Sequence, residues 1–440
     1  MVLFKRYKRY KDSGVKWIGE VPEGWRLKRL KFGVNLRNKK ATDDNDLAYI
    51  GLENIESKTG KIIESISTDE EVTIEGTSNV FFQGDILFGK LRPYLAKCTV
   101  AQFDGKCTTE LLVIKTKNGE LHNKYLGYLM LSSAFIDLVN SSTYGSKMPR
   151  ANWDFIGNQY IPSIDINEQT QIANFLDQKT AEIDSLIADK EKLIALLGEQ
   201  RQAIITEAVT KGLNPDVKMK DSGVEWIGEI PEGWRISRIK YQADINKNTL
   251  AENTDADLEI EYIDIGSVNA KGEVTKVESF TFEKAPSRAR RILKNGDTIV
   301  STVRTYLKAI TWFEKVEGNL ICSTGFAVLS PKKTIHPRYL SYLFRSTKYI
   351  DEIVSRSTGV SYPAITAGEI GMLECLLPDI DEQKEIAEFI DKRLNEIDSL
   401  LQGIKDQIDK IKEYRQSLIF EAVTGKIDVR DVAVEVTSTA

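Results

Sequence analysis

Lys220-Asp-Ser-Gly-Val-Glu-Trp-Ile-Gly-Glu-Ile-Pro-Glu-Gly-Trp-Arg235 repeats Lys11-Asp-Ser-Gly-Val-Lys-Trp-Ile-Gly-Glu-Val-Pro-Glu-Gly-Trp-Arg26. Only Lys16/Glu225 and Val21/Ile230 differ between the two stretches. Further matches follow downstream. Glu168-Gln169, Ile172-Ala173, Phe175 and Asp177 return as Glu382-Gln383, Ile386-Ala387, Phe389 and Asp391. Glu182-Ile-Asp-Ser-Leu186 returns as Glu396-Ile-Asp-Ser-Leu400, and Glu207-Ala-Val-Thr210 as Glu421-Ala-Val-Thr424. One module is therefore written twice, and each copy ends in a long helical pattern. Any function must explain why two similar modules are tied in one chain.

The chain has 440 residues, enough for several domains, with a formal net charge of −5. No apolar run is long enough to span a bilayer, and the basic N-terminus is not followed by a secretory apolar segment. We therefore expect no membrane association, and four cysteines in a chain this long do not make a disulfide scaffold, so a reducing cytoplasm is the expected home. Cys98, Cys107, Cys322 and Cys375 have no metal-ligand spacing. The acidic total argues against nucleic-acid binding, but the cations gather in clusters such as Lys90-Arg92-Lys97, Lys147-Arg150 and Arg304-Lys308.

Residues 1–10 read as a basic arm, expected to be poorly ordered. Residues 11–166 read as the first globular module, with strands expected at Leu47–Ile50, Val80–Phe82, Ile86–Phe88 and Leu111–Ile114 and one helix from Tyr125 to Val139. A helix over 167–213 follows, then the second module over 214–380, a second long helix over 381–427 and a polar tail over 428–440. Expected strands in the second module are Ile260–Ile265, Ile299–Val303 and Ala327–Leu329, followed by one helix from Tyr339 to Val354. The fold class is α+β, with an internal repeat.

The long helices carry a coiled-coil seam: Ile183, Ile187, Ile194, Leu197 and Arg201 in one, and Ile397, Leu401, Ile404, Ile408, Ile411 and Arg415 in the other. The two arginines need partners if buried. Glu182 and Glu396 are the candidates if the helices run antiparallel.

No catalytic constellation stands out, so the chain reads as a non-enzyme. Gly84-Asp-Ile-Leu-Phe-Gly89-Lys90 has phosphate-loop spacing, but Leu91 replaces the hydroxyl residue and the second copy lacks the lysine. Pro378-Asp379 with Glu382 and Lys384 places its elements too close together for a nuclease site, and copy one has Pro162-Ser163 there. His122 and His336 fall at equivalent helix entries, which suits a structural role.

Two paired stretches suit nucleic acid. Lys90, Arg92 and Tyr94 match Arg304, Tyr306 and Lys308. With arginine and tyrosine two apart, a strand would aim both to one side. Ser146, Lys147 and Arg150 lie in a Gly-x-x-x-Pro loop matched by the loop of Ser361 and Tyr362. The side chains at the loop tips differ between copies, as two modules reading different sequences require. The alternative is a duplicated adaptor on a coiled coil that binds no nucleic acid.

The repeated Asp-Ser-Gly-Val-x-Trp-Ile-Gly-Glu opening, the Glu-Gln-x-x-Ile-Ala-x-Phe helix start and the Glu-Ala-Val-Thr helix end resemble the specificity subunit of Type I restriction–modification systems. The likeness covers nearly the whole chain. It implies two target-recognition domains separated by two long antiparallel helices, each domain reading half of a bipartite, asymmetric double-stranded DNA site. It also implies two modification subunits as partners, with two restriction subunits in the full complex. S-adenosylmethionine, ATP and magnesium would belong to those partners, leaving no cofactor in this chain and no metal site.

Overall fold

The computed structural model describes residues 4–41, 47–63, 78–117 and 119–432. The chain divides into two compact units. Unit 1 joins residues 1–190 to 405–440, and unit 2 holds residues 191–404. Both long helices, Ile166–Lys211 and Ile380–Val423, are shared out between the units. Each unit thus combines one module with the start of one long helix and the end of the other.

In unit 1 an antiparallel sheet runs in the order Val34–Arg37, Leu111–Thr116, Ile86–Gly89, Cys98–Val100. A three-stranded sheet joins Tyr49–Ile50, Gly105–Cys107 and Asn79–Phe81. Unit 2 repeats the first sheet as Ala243–Ile245, Phe326–Pro331, Thr298–Ser301, Ile310–Trp312. Its second sheet is larger, with the four strands Glu278–Thr281, Glu259–Ile263, Leu320–Ser323 and Ala289–Ile292.

Each expected single helix is two. The breaks fall at Ser132, between Asn123–Leu131 and Ser133–Ser141, and at Ser346, between Pro337–Arg345 and Thr347–Arg356. Both serines are fully buried, extended in backbone, and donate their hydroxyls to Leu129 O at 2.6 Å and Leu343 O at 2.7 Å. Apolar spacing continues through such a corner, so periodicity alone merges the pair.

The repeated motifs are parts of one packing interaction in each unit. Trp25 and Trp234 are buried, and their indole N–H groups donate to Glu168 (3.3 Å) and Glu382 (3.0 Å) at the long-helix starts. The neighbouring Gln169 and Gln383 are also buried, and each accepts from the backbone N–H of His122 or His336 at 2.8 Å. One face of the following helix is tied down by Tyr128 to Asp177 in unit 1 and Arg338 to Asp391 in unit 2. Glutamate and glutamine thus satisfy buried donors that the opening motif and the histidine entry would leave orphaned.

The long helices run antiparallel. In unit 1 Asp184 meets Arg415 while Lys190, further on, meets Gln407, further back. The expected arginine partners are corrected by two residues. Arg415 pairs with Asp184 (2.9 Å), and Arg201 with Asp398. Glu182 and Glu396 instead pair along their own helices with Lys179 (2.6 Å) and Arg393 (2.9 Å). Asp184 lies four residues after buried Thr180 and three before Ile187, so it flanks the packed stripe. Glu182 shares its face with exposed Ser185 and Leu186. Ile183, Ile397, Leu401, Ile404 and Ile408 are buried, while Ile187, Ile194, Leu197 and Ile411 are half-buried.

Residues 4–10, expected to be poorly ordered, are packed. Phe4 meets Phe175, and Tyr7 donates to Glu168 at 2.7 Å. Of the expected tail, Val429 is buried, while residues 433–440 lie outside the described residues, as do residues 1–3 of the arm.

Candidate nucleic-acid interface

In both units the two paired stretches come together. The strand Ile86–Gly89 runs into a left-handed Arg92 (φ 50°), a 3-10 turn over Pro93–Leu95, and a left-handed Ala96 (φ 49°). The strand Thr298–Ser301 leads to left-handed Arg304 (φ 52°), a 3-10 turn over Thr305–Leu307, and left-handed Lys308 (φ 54°). Arg92 N–H then donates to Pro149 O at 2.7 Å, and Arg304 N–H to Pro363 O at 2.8 Å. Leu91 bridges Arg150, and Val303 bridges Ala364. Each Gly-x-x-x-Pro loop closes on itself through Tyr144–Arg150 or Thr358–Ala364 pairing. At its head, Gly145 (φ 90°) and Gly359 (φ 109°) take backbone angles that side chains resist.

This corrects the expected strand placement of the arginine–tyrosine pairs. Arg92 and Arg304 sit on left-handed backbone at the turn entry, and the tyrosines sit on the turn itself. Four non-glycine left-handed residues at matched positions store roughly 1–3 kcal/mol each. The backbone hydrogen bonds to the proline loops hold them there.

The resulting platforms expose aromatic and cationic groups. Tyr94, Tyr144, Met148 and Lys147 are exposed in unit 1, with Ser146 beside them, while Lys90 and Arg92 are half-buried. In unit 2 Arg304, Tyr306, Lys308, Ser361 and Tyr362 are exposed. The Arg304 guanidinium lies 4.6 Å from the Tyr362 ring centroid, which joins the two stretches in one surface. Arg150 forms a forked ion pair with Glu110, with Nε and Nη2 each 3.2 Å from a carboxylate oxygen. It is therefore ion-paired and braced beside the sheet. Ala364 occupies its bridging position in unit 2.

Sequence reasoning singled out no role for Tyr144 beyond its place in the candidate loop, and missed a second pair, Lys31–Phe32 in unit 1 and Lys240–Tyr241 in unit 2, whose rings are exposed. Their ammonium groups lie 5.6 Å and 5.1 Å from the ring centroids. The available signal was a matched Lys-aromatic dipeptide at equivalent places in both copies. Among the described residues, no group of three or more His, Cys, Asp or Glu could hold a metal ion, and no helix is long and apolar enough to cross a membrane. Burial pushes the Cys98 and Cys107 thiols up to about 12, which suits packing rather than thiolate chemistry.

The model of the Type I restriction modification DNA specificity domain matches residues 22–195 and again 231–410. The chain belongs to the Type I restriction–modification DNA specificity family. The Type I restriction enzyme MjaVIII specificity subunit of Methanocaldococcus jannaschii is 24% identical, over 98% of this chain and 100% of its own length. The EcoDI specificity subunit of Escherichia coli is 25% identical over 44% of this chain and 43% of its own length. A chain from a structural study of type I R-M complex assembly and conformational transition aligns with TM-score 0.70 and 19% identity, covering 92% of this chain and 99% of that one. The HsdS subunit from Thermoanaerobacter tengcongensis aligns with TM-score 0.53, also at 19% identity, covering 92% and 98%. Within this family, each unit of the present chain carries one DNA specificity domain.

Proposed function

We propose that this chain is the sequence-reading subunit of a Type I restriction–modification complex, and that the platforms around Arg92 and Arg304 contact DNA. The observation that carries the reading is the pairing of sameness with difference. Two units build the same strained turn and the same proline-closed loop, yet arm them with different side chains. A shared backbone gives both units one way of approaching a duplex, and unlike tips let them read unlike half-sites. Lys90, Arg92, Tyr94, Ser146 and Lys147 would serve one half, and Arg304, Tyr306, Lys308, Ser361 and Tyr362 the other. Arg150 would brace its loop as well as contact DNA.

The chain itself performs no chemistry in this reading. Methyl transfer and cleavage belong to two modification and two restriction subunits, which bring S-adenosylmethionine, ATP and magnesium, and the complex works in the cytoplasm. The long helices set the spacer between half-sites. Their exposed outer residues, such as Leu186, Leu193 and Leu400, dock the modification subunits.

The test is co-expression with the modification subunit, native mass determination, and duplex binding across a salt series. Two modification subunits per chain, with affinity falling steeply as salt rises, support the reading. A stable chain that takes up no modification subunit and ignores DNA at low salt would favour the adaptor alternative.

A further inference from the structure

The basic stretch Arg37-Asn-Lys-Lys40 belongs to neither platform, yet it ends beside Lys90 in unit 1. The strands Val34–Arg37 and Ile86–Gly89 both pair antiparallel with Leu111–Thr116, so they run the same way. Arg37 therefore leaves the sheet at the end where Lys90 opens the platform. The chain then crosses to the second sheet, where Val80 N–H donates to Lys39 O at 2.8 Å and Ala41 N–H to Ser78 O at 3.0 Å. A pocket of about 140 Å³ lies at this crossing, and its polar lining is Arg37, Asn38, Lys40, Asn79, Lys90 and Thr109.

The charge in this pocket is one-sided, because every charged side chain that lines it is a cation. Arg37 is compensated: it grips buried Asp85 through Nε (2.8 Å) and Nη2 (3.3 Å) and lies 4.5 Å from the Phe82 ring centroid. Glu110 accepts the Lys90 backbone N–H at its carbonyl, but its carboxylate is taken by Arg150. Lys40 and Lys90 have no ion pair among the described residues. Lys40 Nζ donates to Asn79 Oδ1 at 2.9 Å, which leaves the Asn79 amide N–H groups, with the Asn38 amide and the Thr109 hydroxyl, as further donors. The volume equals about four to five waters at roughly 30 Å³ each. That is well below the roughly 300 Å³ at which small-molecule sites begin. A donor-rich, cationic pocket of this size suits a tetrahedral oxyanion and is too small for a whole nucleotide.

We propose that this pocket seats one backbone phosphate of the duplex contacted by unit 1, with Lys40 and Lys90 as its two cations; the inference rests on the DNA reading above. Lys90 joins the pocket to the platform, so a duplex lying on Arg92 and Tyr94 brings its phosphates to the pocket mouth. The contact fixes register and carries no base preference of its own. Unit 2 lacks the same seat. The shared register places Asn246 where Arg37 stands, Thr249 where Lys40 stands and Thr302 where Lys90 stands. Lys247, in the place of Asn38, is paired with Asp244 at 2.7 Å. Arg291 enters from the facing strand and donates Nη1 to Thr249 Oγ1 at 2.9 Å. The seat is thus a feature of one half of the recognition surface.

The test uses the full chain with its modification subunit and a duplex carrying the mapped target. Affinity is measured across a salt series, then at fixed salt on duplexes with one phosphate at a time replaced by a neutral methylphosphonate. Lys40→Ala should lower the log–log salt slope by about one and weaken all target sequences alike, while Lys40→Arg keeps the slope and Lys247→Ala leaves it unchanged. Lys40 is exposed, so its variants should fold, and a thermal melt checks this. The wild-type chain should lose affinity at one phosphate of a single half-site, and Lys40→Ala should be indifferent to that replacement. Steep salt dependence with the same slope and the same phosphate scan in both proteins would overturn the seat and leave the DNA reading standing. Absence of duplex binding in the wild-type complex would overturn both. Calorimetric binding of inorganic phosphate that Lys40→Ala abolishes, with duplex affinity unchanged, would assign the pocket to a free anion and overturn the proposal.

Discussion

Replacing Arg415 by alanine should damage the protein far more than the same change at Arg201, its counterpart in the repeat. Arg415 is buried, with its side chain 5% exposed, and its partner Asp184 is 10% exposed. Removing the guanidinium leaves a buried carboxylate with only Lys61 (3.0 Å) beside it, while the Lys58 carbonyl that Arg415 also binds keeps its second donor, Gln416 Nε2 (3.0 Å). Breaking such a pair costs roughly 3–5 kcal/mol, and Lys61 places the expectation at the low end, about 3 kcal/mol. Asp398, the partner of Arg201, is 45% exposed, so water solvates it when Arg201 is removed. The expected loss there is about 1 kcal/mol or less. For units of this size that means roughly 6–12 °C against roughly 2–4 °C in melting temperature. Scanning calorimetry on both variants reads the difference directly. Equal shifts, or a larger one at Arg201, would refute the argument that burial of the carboxylate rather than membership of the seam sets the cost.

Four further outcomes follow from the geometry. Arg304→Gly relieves a left-handed backbone and should stabilise the chain by about 1 kcal/mol while weakening duplex binding; loss of stability in a denaturant melt would count against the strain. Tyr306→Ala and Lys308→Ala together should weaken binding or methylation at one half-site, by roughly fivefold or more, and leave the other half's base preference unchanged in a competition assay. Burial raises the pKa of Asp297, which lacks the arginine that Arg37 supplies to Asp85 in unit 1 and is held by the Ser330 hydroxyl and the Lys294 N–H. A raised carboxyl favours the folded state when protonated, so unit 2 should lose stability as pH rises through the window above 3.8. Asp297→Asn should flatten that slope in urea titrations, and an unchanged slope would assign it elsewhere. A four-residue insertion beside Asp189 adds about 6 Å of helix and should lengthen the preferred spacer by one to two base pairs without altering either half-site; an unchanged spacer would remove the ruler role.

The duplication was legible because identical motifs solve identical packing problems. Trp25 and Glu168, or Trp234 and Glu382, stand far apart in sequence yet form one contact, and repetition of both partners marks them together. The corners at Ser132 and Ser346 were not legible, since a buried serine that closes one helix and opens the next leaves the apolar spacing intact. The left-handed turns at Arg92 and Arg304 were hidden for a related reason. Nothing in arginine or tyrosine announces positive φ, and only the hydrogen bonds to Pro149 and Pro363, more than fifty residues downstream, impose it. The arginine partners were misplaced by two residues, because the choice between Glu182 and Asp184 depends on which flank of the seam faces the other helix. The packing of Phe4 and Tyr7 was missed because a basic, aromatic terminus reads as solvated until its aromatic partners are located.

The central claim is that each unit reads its own half of the target. Exchanging residues 214–380 with the equivalent segment of another specificity subunit, co-expressing the hybrid with the modification subunit, and mapping methylated adenines across the host DNA tests it most directly. The account predicts a two-part motif in which one half is replaced and the other is retained. A motif in which both halves change, or neither does, would contradict it.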